Sequence, residues 1–270
     1  MRLDGDTAAL PLLSARSEID SFIVMDVMAA AAARERAGAS VVHVEVGQPA
    51  TPAPKSALDA VRRALDGETL GYTLALGTDA LRARIARSYS DLHGLDIDPA
   101  RVVVTSGSSA AFVLGFLAAF DAGAHVGLPS PGYPCYRHIL RALGCEPVIL
   151  ETGPATRWMP TAEMIEDLSV RLDGVLVASP NFPTGTLLQP ERLAAIARVC
   201  RDRGMWLISD EIYHGLTYER PAETALSFSD DCIVVNSFSK YYSMTGWRVG
   251  WMVVPERLVR PLERLAQSLY

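Results

Sequence analysis

The chain has 270 residues, of which 49% are hydrophobic and 21% are charged, and its formal net charge is -6. This balance excludes a disordered chain, and the length suits one large α/β domain with a second small lobe. The negative charge gives no reason to expect nucleic acid or an anionic membrane as a partner.

The cysteines and histidines indicate neither a metal site nor a disulfide framework. Four cysteines are spread along the chain without a C-x-x-C pair, and five histidines lack the spacing of metal ligands. Residues 1–6 carry acids where a signal peptide carries bases. The apolar stretch 22–33 contains Asp26, and the stretch 112–120 is too short to cross a bilayer. We therefore expect reduced thiols in a soluble, cytoplasmic protein.

Hydrophobic periodicity and turn residues predict a helix, a short strand and two more helices at 18–38, 41–46, 55–66 and 78–93. From residue 101 apolar strands alternate regularly with helices. The strands are predicted at 101–105, 125–128, 146–150, 174–178, 206–209, 233–235 and 250–254. One helix follows each of the first two strands, and these helices end near residues 120 and 143. Three more helices are predicted at 161–171, 190–204 and 255–270. This alternation predicts a three-layer α/β/α fold around a mostly parallel sheet, preceded by an N-terminal helical segment.

The last predicted helix carries an apolar stripe, and the chain ends with that helix. The stripe consists of Leu258, Val259, Leu262, Leu265 and Leu269. A helix at the end of a chain has little left to bury such a stripe against. We interpret the stripe as a sign that the chain lacks a C-terminal portion.

A lysine at the end of a predicted strand is the strongest functional signal. Lys240 follows the apolar run 233–235 and the hydroxyl side chains of Ser237 and Ser239, and Arg248 comes eight residues later. Such neighbours solvate an ammonium poorly, which favours the neutral amine that a Schiff base with an aldehyde requires. The hydroxyls and Arg248 suit a phosphate. Together these residues indicate pyridoxal phosphate, bound covalently through Lys240.

Three other polar groups follow predicted strands, and ligands of open α/β sheets bind beyond the carboxyl ends of the strands. The turn 105–109 offers backbone N–H groups at a helix N-terminus, which suit a phosphate. Asp210 follows the strand 206–209, where a carboxylate can keep a pyridine nitrogen protonated. The third group is the segment 179–185. Each group alone is compatible with a cap or a turn, but their common placement favours the cofactor.

The residues described so far also occur together in a known family of enzymes. The chain resembles the fold-type I pyridoxal-phosphate enzymes, specifically the class I and II aminotransferases related to aspartate and aromatic aminotransferases. The most specific part of the similarity is SFSK at 237–240 with GWRVG at 246–250. The resemblance implies that residues 1–54 belong to a small domain and a dimer contact, that 55–270 form the cofactor-binding large domain, and that a C-terminal small domain is absent.

The resemblance also implies roles for individual residues. Lys240 holds the cofactor and moves a proton between the substrate Cα and the cofactor C4′. Asp210 pairs with the pyridinium nitrogen, Tyr213 hydrogen-bonds the phenolic oxygen, and Tyr133 stacks on the ring. The remaining implied cofactor residues surround the phosphate or follow the strand 174–178, and they are Gly107, Ser108, Ser109, Asn181, Ser237, Ser239 and Arg248.

Two further matches imply a partner and a substrate pocket. Tyr72 matches a tyrosine that reaches the phosphate of the neighbouring subunit, which implies a homodimer with shared active sites. Gly47 matches a glycine that lines the pocket for the substrate carboxylate. The resemblance implies no metal.

The chain departs from the family pattern in two places. The family's Asn-Pro-Thr-Gly is Phe-Pro-Thr-Gly at 182–185, with Asn181 one position early. Since Phe182 cannot donate to the phenolic oxygen, we expect a raised pKa of the Lys240 Schiff base, unless Asn181 replaces the donor. The second departure is that the family's C-terminal region, with the arginine that binds the substrate carboxylate, has no match here.

The resemblance therefore implies a transaminase that moves an amino group from an amino acid to a 2-oxo acid. Two alternatives share its cofactor residues: a lyase or synthase on the same scaffold, and a truncated cofactor-binding protein with little activity. A regulator's effector domain is disfavoured because no helix-turn-helix pattern precedes the first predicted helix. The sequence does not indicate which amino acid is the substrate.

Overall fold

The computed structural model of the chain describes residues 12–270, so residues 1–6, whose two acids were used above, lie outside the described residues. The strands are β1 Val102–Thr105, β2 His125–Ser130, β3 Glu146–Glu151, β4 Gly174–Ala178, β5 Trp206–Asp210, β6 Ile233–Ser237 and β7 Gly250–Val253. The helices are α1 Ile23–Arg36, α2 Lys55–Gly67, α3 Asp79–His93, α4 Ser108–Ala119, α5 Cys135–Ala142, α6 Ala162–Glu166, α7 Pro190–Asp202 and α8 Glu256–Leu269.

These strands form one seven-stranded sheet in the order β1-β7-β6-β5-β4-β2-β3. The strands β2 to β6 pair in parallel, whereas β7 pairs antiparallel with both β1 and β6. β1 therefore runs in the same direction as β6. The carboxyl ends of six strands share one edge of the sheet, and β7 begins at that edge. The predicted α/β/α fold with a mostly parallel sheet is confirmed.

Alternate side chains of the strands pack into two hydrophobic cores, one on each face of the sheet. In β6, Val234 belongs to one core, while Ile233 and Val235 belong to the other. The buried residues of α7 pack in the first core, and those of α4 pack in the second. Burial on both faces explains why the strands read as near-continuous apolar runs.

The apolar stripe of α8 is buried within the chain, contrary to the expectation above. Leu258 and Leu262 pack in the core that contains α4, and Val259 and Leu265 pack partly against it. Leu269, at the end of the helix, is 52% exposed. The stripe therefore has a partner in α4 and gives no information about a missing portion.

Two predicted elements are wrong. Residues 41–46 pair with no strand among residues 12–270, and Val42 and Val44 are 84% and 87% exposed. Apolar alternation alone cannot form a strand without a neighbour to bond its backbone. The helix predicted over 161–171 ends at Glu166, because Leu168 and Val170 pack against the core at a spacing of two, which is the period of extended chain.

The N-terminal segment lies largely on the outside of this fold. α1 has no buried residue, and Ile23 at its start is 68% exposed. After α1 the chain reaches the loop beyond β6, where the Thr51 and Ser243 hydroxyls lie 2.8 Å apart. The domain boundary at residue 54 stays a prediction. Among the described residues, no helix combines the length and apolar character needed to cross a membrane.

The packing of α8 makes a stability prediction. Leu262 is fully buried, so Leu262→Ala should lower the free energy of unfolding by about 2–5 kcal/mol through lost burial and a cavity. Leu269→Ala, on the same helix, is the matched control and should change it by less than about 1 kcal/mol. Urea unfolding followed by circular dichroism measures both. Equal effects of the two substitutions would contradict this packing.

Candidate functional site

The polar groups predicted from the sequence meet at the carboxyl edge of the sheet. Gly107 follows β1, Asn181 follows β4, and Asp210 ends β5. Lys240 follows β6, and Arg248 stands just before β7. Arg248 reaches this edge because β7 is antiparallel and therefore begins where its neighbours end.

A cationic cradle lies at the N-terminus of α4. Gly107 is the N-cap with φ +84°, and Ser108 and Ser109 are the first helical residues, whose N–H groups have no partner within the helix. A Cβ built on Gly107 would lie 2.5 Å from Nη2 of Arg248, so the guanidinium rests directly against this backbone. Free N–H groups, a helix dipole and a guanidinium together suit a dianionic phosphate.

Gly250 lets the start of β7 pack against this cradle. A Cβ built on Gly250 would lie 2.9 Å from the carbonyl carbon of Gly107 and 3.0 Å from the backbone nitrogen of Ser108. Both contacts are with backbone, which cannot move aside as a flexible side chain can. The glycine is therefore required by the close approach of two chain segments.

The predicted phosphate ligands Ser237 and Ser239 are buried and bond to each other. Their hydroxyl oxygens lie 2.7 Å apart, and the Ser237 hydroxyl also lies 3.1 Å from the carbonyl oxygen of Val249. The backbone N–H of Ser239 donates to the Ser237 hydroxyl at 3.0 Å. In this structure the two serines hold the loop that presents Lys240.

Lys240 is half-buried, and its amine lies among groups that disfavour its charge. Nζ donates to the carbonyl oxygen of Gly47 at 3.0 Å. Burial lowers the pKa of Lys240, the positive charge of Arg248 lowers it further, and Asp210 opposes the shift. The neutral amine is thus more accessible here than on a surface lysine.

Asp210 is buried and receives two hydrogen bonds. The Tyr136 hydroxyl donates to Oδ2 at 2.5 Å, and the backbone N–H of Ile212 donates to Oδ1 at 3.1 Å. Burial raises the pKa of Asp210 to about 6, while these two hydrogen bonds act to lower it. A buried carboxylate of this kind gains by binding a cation such as a protonated ring nitrogen.

Comparison with known proteins agrees with this geometry. A model of the family aminotransferase class I and II matches residues 39–270. The valine–pyruvate aminotransferase of Mycobacterium tuberculosis is 50% identical over 93% of this chain and 65% of its own length. The chain belongs to the class I and II aminotransferase family.

Solved structures agree with this assignment. An aminotransferase from Mycobacterium tuberculosis superposes with a TM-score of 0.93 at 48% identity, covering 96% of this chain and 68% of its own. Aspartate aminotransferase from Thermus thermophilus with maleate gives 0.92 at 29% identity over 96% of this chain and 69% of its own. The chain spans 65% to 67% of the length of three curated relatives that it matches.

The residues of this chain fit pyridoxal phosphate, the cofactor of this family. The cradle of Gly107 and Arg248 suits the phosphate, and a Cβ on Gly107 would occupy space beside the guanidinium. Buried Asp210 suits a protonated ring nitrogen. Lys240 supplies an amine whose pKa is lowered, as bonding to an aldehyde requires.

Tyr136 is a site residue that the sequence analysis missed. It lies in the first turn of α5, three residues after Tyr133, and its phenol is buried against Asp210. A helix that begins beyond a strand end directs its first turn toward the edge of the sheet. The sequence signal that could have identified Tyr136 is its position one helical turn after the tyrosine of the Gly-Tyr-Pro motif at 132–134.

Aromatic rings surround Tyr133, the residue predicted to stack on the cofactor ring. Tyr133 makes edge-on contacts with Phe22, Tyr136 and Phe182, at centroid distances of 5.7, 5.4 and 5.8 Å. Burial raises the pKa of Tyr133, and it also raises the pKa of half-buried Tyr213, to which the charge of Asp210 adds. Both phenols therefore stay protonated at neutral pH in this structure. The contribution of Phe22, from the N-terminal segment, was not predicted.

Asn181 and Phe182 occupy different surroundings. The Asn181 amide nitrogen donates to the Thr184 hydroxyl at 2.9 Å and to the Pro131 carbonyl at 3.3 Å, so its two hydrogens are engaged within the protein. Phe182 is 36% exposed and lies against Tyr133. In this arrangement the Asn181 amide has no hydrogen left to replace the donor missing at position 182.

An open cavity of ≈ 550 Å³ adjoins this site, and Gly47, Phe182 and Tyr213 are among its lining residues. The position of Gly47 beside both this cavity and Lys240 agrees with its predicted role near the substrate. The side chain of Tyr72 is fully exposed in this structure. Its predicted contact with a neighbouring subunit stays a prediction.

The cradle yields a test with an internal control. Gly250→Ala should weaken pyridoxal-phosphate binding on the order of tenfold or more, because its methyl group displaces the Gly107 backbone and costs about one charge-assisted hydrogen bond. Gly246→Ala, in the turn just before β7, meets no atom within 4 Å and should bind normally. Titration with the cofactor, followed by absorption, measures both affinities. Unchanged binding by Gly250→Ala would show that the phosphate lies elsewhere.

Proposed function

We propose that this chain carries the cofactor site of an aminotransferase that moves an amino group from an amino acid to a 2-oxo acid. The observation that supports this most directly is the convergence of three groups in one site. They are the amine of Lys240, the buried carboxylate of Asp210 and the cradle of Arg248 with the α4 N-terminus. The proteins named above as similar are aminotransferases, which favours transamination over elimination by a lyase or synthase.

When bound, pyridoxal phosphate supplies an aldehyde that condenses with amines and a pyridine ring that withdraws electrons from the amino-acid Cα. The chain supplies position and charge. Arg248 and the N–H groups of Ser108 and Ser109 are the proposed ligands of the phosphate, whereas the hydroxyl of Ser237 would have to leave Ser239 and Val249 to join them. Asp210, fixed by the Tyr136 hydroxyl, holds a proton at the ring nitrogen.

Lys240 is the base and acid of the proposed cycle. Burial and the nearby charge of Arg248 lower its pKa, so Nζ can take a proton from the substrate Cα and return it at the cofactor C4′. The contact between Nζ and the Gly47 carbonyl holds the amine at the side of the site that adjoins the cavity. Tyr213 is the proposed donor to the phenolic oxygen, and Tyr133 is the proposed aromatic face for the ring.

We further propose that the working form is a cytoplasmic homodimer in which Tyr72 contributes to the partner's site. Full exposure of Tyr72 and the absence of buried residues in α1 leave both available to a second subunit. The four cysteines are free thiols, as expected of a reducing compartment. The first substrates to try are valine and pyruvate, by analogy with the name of the 50% identical relative.

The decisive experiment labels the lysine. The chain contains two lysines, Lys240 in the site and exposed Lys55 at the start of α2. After incubation with pyridoxal phosphate, borohydride should fix a pyridoxyl group on Lys240 and not on Lys55. Lys240→Ala should abolish the label and lower transamination on the order of 10²- to 10⁴-fold, the range for loss of a general acid–base, while Lys55→Ala keeps both. Label without turnover across amino donors with pyruvate and 2-oxoglutarate would identify a cofactor-binding protein with little activity.

The aromatic residue at position 182 makes a separate pH prediction. Phe182→Asn restores an amide that can donate to the phenolic oxygen, which stabilises the deprotonated form of the Lys240-bound cofactor and lowers its pKa. The midpoint of the visible absorption change should therefore move to lower pH than in the native chain. Phe182→Leu, which offers no donor, should leave the midpoint unchanged. Equal midpoints in all three proteins would reject this role for position 182.

A further inference from the structure

A second buried carboxyl group lies directly beyond Asp210 and has no role in the site described above. Glu211 is fully buried, and its Oε1 accepts three hydrogen bonds. The donors are the Ser209 hydroxyl at 3.1 Å, the Thr224 hydroxyl at 3.0 Å and the Ala225 backbone N–H at 2.8 Å. Its other oxygen, Oε2, has no hydrogen-bond partner among the described residues.

The ring of His214 approaches this oxygen. Nδ1 of His214 lies 3.6 Å from Oε2, beyond normal hydrogen-bond length, and Nε2 lies 3.1 Å from the Ser179 carbonyl oxygen. A carbonyl oxygen only accepts, so Nε2 carries a hydrogen. In a neutral imidazole Nδ1 is then a bare acceptor that faces Glu211.

The surroundings offer Glu211 no compensating cation. The titratable groups that face it are Asp210 and His214 from its own segment, Tyr89 and His93 from α3, and Cys232 just before β6. Glu223 lies close to both histidines. Burial lowers the pKa of His93 and lowers that of His214 to about 4, so both rings are neutral at neutral pH.

An ionised carboxylate with an unbonded oxygen is costly in such a place, whereas a proton on Oε2 removes the charge and gives Nδ1 a donor. We propose that Glu211 is a positioning residue that works as a neutral carboxylic acid, with its Oε2 proton directed to His214 and the Ser179 carbonyl fixed by the opposite nitrogen of that ring. Burial raises the pKa of Glu211 to about 7, in agreement with this assignment.

The consequence for the site, which rests on the proposed function, concerns Asp210 and the turn after β4. A negative charge on Glu211 raises the pKa of Asp210, so a neutral Glu211 leaves Asp210 as the ionised member of the pair. The Ser179 backbone is held from both sides, because its N–H donates to the Asp210 carbonyl at 3.1 Å and its carbonyl accepts from His214. This residue begins the turn that carries Asn181 and Phe182.

The first test compares Glu211→Gln with Glu211→Leu in the full chain, without and with pyridoxal phosphate. The glutamine keeps a carbonyl for the three donors and an N–H for Nδ1, so its urea midpoint should be no lower than the native one. The leucine leaves those donors unbonded and should lower the midpoint clearly. If the glutamine lowers it as much as the leucine does, the carboxylate is ionised and the proposal fails.

Infrared spectroscopy tests the same assignment without relying on a variant's stability. At about pH 6, below the pKa near 7, the native chain minus Glu211→Gln should show the carbonyl stretch of a protonated carboxyl group. Because a charge on Glu211 raises the pKa of Asp210, the same difference is also taken in an Asp210→Asn background, which removes the Asp210 band. A difference spectrum with carboxylate bands alone overturns the proposal. Both measurements succeed or fail without added cofactor, so they are independent of whether the chain transaminates.

The pH dependence of unfolding gives a third readout. The raised pKa of Glu211 stabilises the fold at low pH, and this effect is lost as pH rises from about 4.5 through about 7. The lowered pKa of His214 stabilises the fold above about 6.5, and this effect is lost as pH falls through about 4. The two trends oppose each other in the native chain.

Single substitutions should therefore separate the two trends. In Glu211→Gln only His214 of the pair still titrates. Between about pH 4.5 and 6.5 the stability of this variant should therefore rise with pH relative to the native chain, by up to about tenfold in the unfolding equilibrium constant per pH unit. In His214→Gln only Glu211 still titrates, and the stability of this variant should fall with pH relative to the native chain over the same window by a comparable factor. Parallel profiles for all three proteins would overturn the neutral pair.

With the cofactor present, Glu211→Leu should weaken pyridoxal-phosphate binding while Glu211→Gln retains it, because only the leucine breaks the contacts that hold β5 and the Ser179 turn. Weakening by the glutamine equal to that by the leucine contradicts the positioning role.

Discussion

The site depends on one buried acid at the end of a central strand. Asp210 lies at the carboxyl end of β5, in the middle of the sheet, where water cannot solvate its charge. Burial of a carboxylate is costly, and here two hydrogen bonds, from Tyr136 and the Ile212 backbone, offset only part of that cost. A bound ring with a protonated nitrogen supplies the missing counter-charge. The affinity for such a ring is therefore built into the fold before any ligand binds.

The antiparallel strand brings the remaining charge to this acid. In an all-parallel sheet, residues just before a strand lie at the opposite edge from residues just after one. β7 runs against β1 and β6, so Arg248, which precedes it, lies with Lys240, which follows β6. The close contact of Gly250 with the Gly107 backbone then places the guanidinium against the N-terminus of α4. One reversal of strand direction thus assembles the amine and the cationic cradle.

The two carboxyl groups of the Asp210-Glu211 pair show how burial divides chemical roles between neighbours. Both pKa values are raised by burial, yet Asp210 receives a short hydrogen bond from Tyr136 and lies near the positive charge of Lys240. Glu211 instead faces neutral histidine, tyrosine and cysteine side chains. The environment therefore favours charge on one carboxyl group and a proton on the other.

The sequence by itself determined the order of strands and helices from residue 101 onward and the placement of Lys240, Asp210 and Arg248 at strand ends. Apolar runs and turn residues are local signals, and their alternation predicts a mostly parallel sheet; the strand order and the antiparallel direction of β7 came from the structure. Only the tertiary structure decided that α8 packs on α4, that 41–46 finds no partner strand, that Gly47 bonds Lys240, and that the Tyr136 phenol reaches Asp210. These features join segments that are far apart in the chain, or they depend on the direction in which a side chain points. No local pattern in the sequence encodes which neighbour a side chain meets.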